Sequence, residues 1–263
     1  MRLIILPGGS GALAAAEEGR IRKRDRFRAR TRRFVELPLR LRTSDLPKRA
    51  ASAAVMLGIA GVAFWLGGVW LDGFIALVAI ACFLELARLV HRASPGLSGK
   101  IGGILAGAIY ICTAALFLMA IGRSFVVELL LGVIATDTGA YFAGRTIGGP
   151  KLAPRISPSK TWAGLVGGAI FAALALAIEA AWTRDAGEHA LLSLGAALVF
   201  GIVIAVVAQG GDLLESWLKR KAKMKDSSSL IPGHGGVFDR VDGLVAVAFV
   251  LAIIGAPGLL DLW

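Results

Sequence analysis

Between residues 211 and 242 the chain gathers five carboxylates, Asp212, Glu215, Asp226, Asp239 and Asp242. Six basic side chains stand among them: Lys219, Arg220, Lys221, Lys223, Lys225 and Arg240. Asp212 and Glu215 are three residues apart, and so are Asp239 and Asp242. On helices each pair shares one face and can converge on one cation. Acids that hold a hard, partly hydrated cation, beside bases that neutralise phosphate oxygens, are what a Mg²⁺–polyphosphate site needs. Between the pairs, Pro232-Gly233-His234-Gly235-Gly236 supplies a loop whose backbone N–H groups can approach a phosphate closely. A solvated loop of salt-bridged charges would account for the lysines and arginines. It has no need of four aspartates, a glycine-flanked histidine and the Ser227-Ser228-Ser229 turn.

A second polar stretch begins inside an apolar run. Asp137 lies about 18 Å along a helix from Phe125 at 1.5 Å per residue, and a carboxylate at that depth is a functional candidate. Thr138-Gly139-Ala140-Tyr141, Gly144-Arg145, Lys151, Arg155 and Ile156-Ser157-Pro158-Ser159-Lys160-Thr161 follow. Lys160 and Thr161 open the next apolar run, so a cation, a hydroxyl and free helix N–H groups meet there as an anion site. A snorkelling interfacial lysine is the alternative for Lys160. Glu85 and Glu179 also fall within apolar runs, which raises an ion-coupled transporter as a rival. Glu85 has Arg88 one turn away as a partner, however, and the charge gathers at one face rather than at the midplane a transporter would use.

The elements that position these residues are membrane spans. The 263-residue chain is 56% hydrophobic with mean hydropathy +0.73, yet carries a net charge of +11. Its apolar residues fall into stretches of about 20, enough to cross a hydrocarbon core of about 30 Å. A soluble globular domain, a disordered chain and a disulfide scaffold are excluded. The expected fold is all-α, a polytopic membrane helix bundle of about seven to nine transmembrane helices with polar cytoplasmic catalytic links. Seven spans are placed near 50–67, 70–90, 101–121, 125–143, 161–182, 190–211 and 244–260. Residues 1–49 form a basic, weakly ordered arm, and 50–263 the membrane domain.

The connections alternate in charge: 27 of the 29 Lys and Arg residues lie on one side, with only Arg123 and Arg184 opposite. The positive-inside rule then makes the N-terminus cytoplasmic. Trp65, Trp70, Trp182 and Trp263 fall at the outer interface and Trp162 at the inner one, as an aromatic belt requires. Gly103/Gly107 and Gly164/Gly168 give small faces for close helix packing within the chain. Cys82 and Cys112 read as buried small hydrophobes, and His91 and His189 as solvated helix-end residues. No Cys/His cluster suggests zinc. The arginine-rich arm either fixes orientation alone or also binds anionic lipid, and no aromatic platform accompanies it that would suggest nucleic acid.

Ser216-Trp-Leu-Lys219-Arg220, Lys225-Asp226-Ser227 and Ile231-Pro-Gly-His234-Gly235-Gly236-Val-Phe-Asp239-Arg240-Val-Asp242 resemble the signature of phosphatidate cytidylyltransferases, the CDP-diacylglycerol synthases. Asp137-Thr-Gly-Ala-Tyr141 and Ile156-Ser157-Pro-Ser-Lys160-Thr161 resemble that family's upstream block. The likeness runs from about residue 45 to 260. Ala163 departs from it, where many members carry glutamate.

The resemblance implies a Mg²⁺-dependent transfer of CMP from CTP to phosphatidate, with K⁺ as a second cation. It implies that Asp212, Asp239 and Asp242, joined by Asp226, hold metal. Lys219, Arg220, Lys225, Arg240 and the His234-Gly235-Gly236 loop would hold the triphosphate, with His234 either orienting that loop or acting as an acid. Ser157, Lys160 and Thr161, near Asp137 and Tyr141, would hold the lipid phosphate. A homodimer in the bacterial inner membrane, with the site facing the cytoplasm, is the expected setting. A CTP-dependent lipid kinase and a non-enzymatic lipid-binding scaffold are the remaining alternatives.

Overall fold

The computed structural model describes residues 46–183, 190–231, 233 and 235–255. The expectations for the arm up to residue 45, Arg184, His189, His234 and Trp263 lie outside the described residues. The chain divides into two units, Met1–Pro47 and Lys48–Trp263, and the helical bundle belongs to the second.

Among the described residues there are seven helices: α1 (Leu46–Leu66), α2 (Gly68–Ala93), α3 (Leu97–Ala120), α4 (Gly122–Thr146), α5 (Trp162–Thr183), α6 (Ala190–Lys221) and α7 (Phe238–Ile254). A small antiparallel hairpin of β1 (Lys151–Ala153) and β2 (Ser157–Thr161) joins α4 to α5. Helices α2 to α6 are long and apolar enough to cross a membrane, while α1 adds a 17-residue apolar run, 50–66, and α7 is 17 residues long. The protein is an all-α membrane helix bundle. Its outer faces carry exposed Leu57, Val69, Leu77, Ile109 and Ile178, as contact with lipid chains requires.

Helix α5 packs between α4 and α6, α7 lies against α6 and α3, and α2 runs along α3. The core they enclose includes Leu86, Ile111, Leu129, Ile204 and Val247. Cys82 is buried there as expected, whereas Cys112 is exposed. The glycine faces serve packing within the chain. Gly103 and Gly107 abut Val90 and Leu86 of α2, and Gly164 and Gly168 abut the Ala140 and Thr136 carbonyls of α4.

Two departures from the expected spans shape the site. Helix α6 does not stop near residue 211 but continues unbroken to Lys221. Leu213, Leu214, Leu218 and the interleaved Glu, Lys and Arg residues are strong helix formers although the stretch is polar. At 32 residues, α6 is about 48 Å long, well beyond a core of about 30 Å, so its final turns stand clear of the apolar layer. Helix α7 likewise starts at Phe238, ahead of the expected 244. The apparent loop 212–243 is therefore two helix ends joined by a strap, 222–237.

The hairpin is the other departure. No strand is expected in the polar link 144–160, yet β1 and β2 pair Lys151 with Thr161 and Ala153 with Ser157.

Candidate functional site: an acidic cluster beside a lysine-lined cleft

The two helix ends that carry the acids cross at Gly211. A Cβ there would sit 2.8 Å from the Asp242 carbonyl oxygen and 2.5 Å from the Ala246 Cβ. Only glycine lets α6 and α7 approach this closely, and the approach sets Asp212 and Glu215 against Asp242. One carboxylate oxygen from each of the three lies within 4.8 Å of the others. Glu215 is 1% exposed. Its Oε2 accepts from the Lys219 ammonium at 2.5 Å, while its Oε1 is buried with no hydrogen-bond partner. An orphaned carboxylate oxygen is costly unless a cation or proton meets it. Three hard oxygen donors with one such atom fit a hard divalent cation.

Asp242 lies in the first turn of α7, ahead of the apolar stretch from Gly243. Burial, and then the Asp212 charge beside it, hold its carboxyl well above the usual carboxylate range. Like charges this close cannot all ionise without a neutralising cation.

Asp239, three residues earlier, faces different partners. Its carboxylate accepts from the Ser227 N–H at 3.1 Å, the Gly236 N–H at 2.9 Å and the Lys219 ammonium at 3.1 Å. Burial works to raise this carboxyl. The Gly236 N–H and the Lys219 ammonium nevertheless hold it well below the usual range. The pair expected to converge on one cation thus diverges. Asp242 joins Asp212, and Asp239 fastens the strap. Asp226 is exposed on the strap and is not one of the three clustered acids.

The loop expected to offer its N–H groups to a phosphate spends several of them internally. Gly235 N–H donates to the Ile231 carbonyl at 3.2 Å and Gly236 N–H to Asp239. The next two N–H groups, of Val237 and Phe238, donate to the Glu85 carboxylate at 3.0 and 2.9 Å. The glycines answer to space instead, since a Cβ on Gly236 would strike Ser227 Oγ and Glu85. Lys225 and Arg240 are exposed here. Arg220 Nε donates to the Ile156 carbonyl at 3.1 Å, tying α6 to the hairpin.

On the other side of Asp212 opens a cleft of about 440 Å³. Asp137, Tyr141, Gly144 and Arg145 of α4 line it, with Ser159, Lys160 and Thr161 of β2, and Gln209 and Asp212 of α6. Lys160 Nζ lies 2.5 Å from Asp212 Oδ2 and donates to Gln209 Oε1 at 2.9 Å. Arg145 donates to the Tyr141 hydroxyl at 2.9 Å. Thr161 Oγ1 accepts from the Gly164 N–H at 3.0 Å, so it caps α5 rather than standing free for an anion. Ser159 lines the cleft, whereas Ser157 lies two residues back on β2 and does not. Asp212 is therefore common to the acid cluster and the cleft.

Glu215 joins Asp212 as their spacing suggests, although the metal set implied by the resemblance omits it. Two contributors escaped the sequence reading. Gln209 was a lone amide at the end of an apolar run, and that polarity was the available signal. Glu85 was expected to pair with Arg88 but instead receives bonds from residues more than 140 positions away. No local pattern could reveal that.

A sequence model of the cytidylyltransferase family matches residues 120–256, which span the cleft, the hairpin, the acid cluster and the strap. The chain is similar to proteins named phosphatidate cytidylyltransferase. It is 47% identical over 135 residues to one from Brucella suis, covering 51% of this chain and 48% of that protein. For one from Haemophilus influenzae the figures are 42% over 127 residues, covering 48% and 43%. For one from Pseudomonas aeruginosa they are 42% over 144 residues, covering 52% and 51%. The chain thus matches about half the length of these curated relatives. With the family's sequence pattern running through the elements that line the cleft and carry the acid cluster, the chain belongs to the cytidylyltransferase family.

Proposed function

We propose that this protein transfers CMP from CTP to phosphatidate, giving CDP-diacylglycerol and pyrophosphate within a bacterial inner membrane. The observation that carries the reading is the place of Asp212. It belongs at once to a cluster suited to a divalent cation and to a cleft lined by Lys160 and Arg145. An anionic lipid phosphate in the cleft would then lie beside the nucleotide phosphates.

In the reaction, a phosphatidate phosphate oxygen attacks the α-phosphorus of CTP and forms a new P–O bond. The bond from the α-phosphorus to the bridging oxygen breaks, and pyrophosphate departs with the electron pair. The attacking oxygen is already anionic, so no general base is needed. The barrier is charge repulsion and positioning. Lys160 and Arg145 bind the lipid phosphate, and Gln209 orients the Lys160 ammonium. Lys219, Arg220, Lys225 and Arg240 bind and orient the triphosphate. Asp212, Glu215 and Asp242 would hold Mg²⁺, which supplies neutralisation of the phosphate charge that develops during transfer. The alternating distribution of basic residues supports a site that faces the cytoplasm.

Label position tests the reading. Purified protein given phosphatidate, Mg²⁺ and CTP should place an α-phosphate label in lipid and leave a γ-phosphate label in pyrophosphate. A γ-label in lipid would make the protein a CTP-dependent lipid kinase instead.

A further inference from the structure

Glu85 is a buried carboxylate in the C-terminal half of α2, and the reaction just described gives it no part. It is 5% exposed, and both its oxygens are fully engaged. Oε1 accepts from the Ser228 hydroxyl at 2.6 Å and the Val237 N–H at 3.0 Å. Oε2 accepts from the Ser227 hydroxyl at 2.7 Å and the Phe238 N–H at 2.9 Å. The two hydroxyls belong to the middle of the strap, and the two N–H groups to its last residue and the first residue of α7. One side chain therefore closes the strap on itself and caps α7, where a negative charge is favoured by the helix dipole.

What hangs from the strap is the site. The Ser227 and Gly236 N–H groups, both on the strap and both beside Glu85, fix the Asp239 carboxylate. Asp239 fixes the Lys219 ammonium, and Lys219 in turn holds Glu215 of the acid cluster. Gly236 is pressed so closely on Ser227 and Glu85 that no Cβ fits, so the strap has little freedom while Glu85 is in place.

We infer that Glu85, on a helix outside the family-matched segment, is the positioning residue that sets Lys219 and Asp239 for the nucleotide phosphates. The inference rests on the CMP-transfer reading for its kinetic consequence but not for its structural one. Glutamine at this position offers a single carbonyl oxygen. Its amide nitrogen would face either the Val237 or the Phe238 N–H, donor against donor. The two serine hydroxyls can turn to accept from the amide, but the backbone groups cannot.

The test is Glu85→Gln in the full chain, read three ways. Amide hydrogen exchange should quicken across residues 225–238 and stay unchanged in α4 and α5. The KM for CTP should rise by about tenfold or more, as loss of positioning commonly costs, while the KM for phosphatidate stays within about twofold. Glu85→Asp, which keeps four acceptor lone pairs on a shorter arm, should recover part of the loss. Ser228→Ala removes one donor without touching the carboxylate and should move the same readouts by a smaller amount. It decides the matter if Glu85→Gln does not fold. Unchanged strap exchange and an unchanged KM for CTP in the folded variants would overturn the inference. Wild-type protein that transfers no CMP would sink the functional reading while leaving the exchange result to judge Glu85 by itself.

Discussion

The Lys160 ammonium reaches across from the foot of α5 to lie 2.5 Å from the Asp212 carboxylate of α6. That contact joins the cleft to the acid cluster, and it sets two cations in competition for one carboxylate. A divalent ion drawn to Asp212, Glu215 and Asp242 meets a partner already satisfied by lysine.

Replacing Lys160 with Gln should therefore separate two properties that usually fall together. Removal of the ammonium leaves the cluster more negative and should tighten Mn²⁺ binding by roughly tenfold, because no lysine then competes for Asp212. Turnover should drop by about a hundredfold, because the lipid phosphate loses its principal cation. Mn²⁺ titration by electron paramagnetic resonance, beside the label assay, reads both. Weaker Mn²⁺ binding in the variant would contradict the arrangement.

Asp239 and Asp242 should behave oppositely when neutralised. Asp239 accepts two backbone N–H bonds and a lysine. Asp239→Asn turns a donor toward donors and should destabilise the protein by about 1–3 kcal/mol. Asp242→Asn keeps the carbonyl oxygen that accepts from the Gly243 N–H, and it removes one of three crowded acids. With chelator present it should melt at or above the wild-type temperature, and it should lose the stabilisation that Mg²⁺ gives wild type. Thermal unfolding in detergent with and without Mg²⁺ distinguishes the pair.

Gly236→Ala tests the strap by space alone. The added methyl meets Ser227 and Glu85 and should cost about 1–3 kcal/mol, as overpacking does, together with most of the activity. Gly102→Ala, where nothing lies within 4 Å, should leave both unchanged. Equal effects from the two substitutions would mean that the strap is not packed as described.

The hairpin is held to α6 by an exposed bond from Arg220 to the Ile156 carbonyl. Arg220→Ala should leave stability within about 0.5 kcal/mol of wild type, as surface substitutions do. It should raise the KM for CTP, because the guanidinium binds the triphosphate, and the KM for phosphatidate severalfold, because Ser159 and Lys160 share the hairpin's second strand. Steady-state kinetics with graded CTP and graded phosphatidate in mixed micelles checks this.

The bundle was legible because membrane spans announce themselves by apolar length, and most helix ends fall close to the hydropathy limits. Where hydropathy and helix propensity part company, as in Asp212–Lys221, the pattern ended the span while the backbone continued. The site was legible to the extent that its residues are sequence neighbours. Asp212 and Glu215 share a face because they are three apart on one helix. The same spacing misled at Asp239, whose carboxylate bends back to backbone donors that no spacing rule describes. Glu85 and Gln209 act through contacts set by tertiary packing, which single-chain periodicity does not encode.

The most direct test of the account follows the α-phosphate of CTP in folded protein, wild type beside Asp242→Asn, with phosphatidate and Mg²⁺ in detergent–lipid micelles. The account predicts label in lipid from wild type only when phosphatidate is added, and its loss in a variant that stays folded. Undiminished label from Asp242→Asn, or none from wild type, would contradict it.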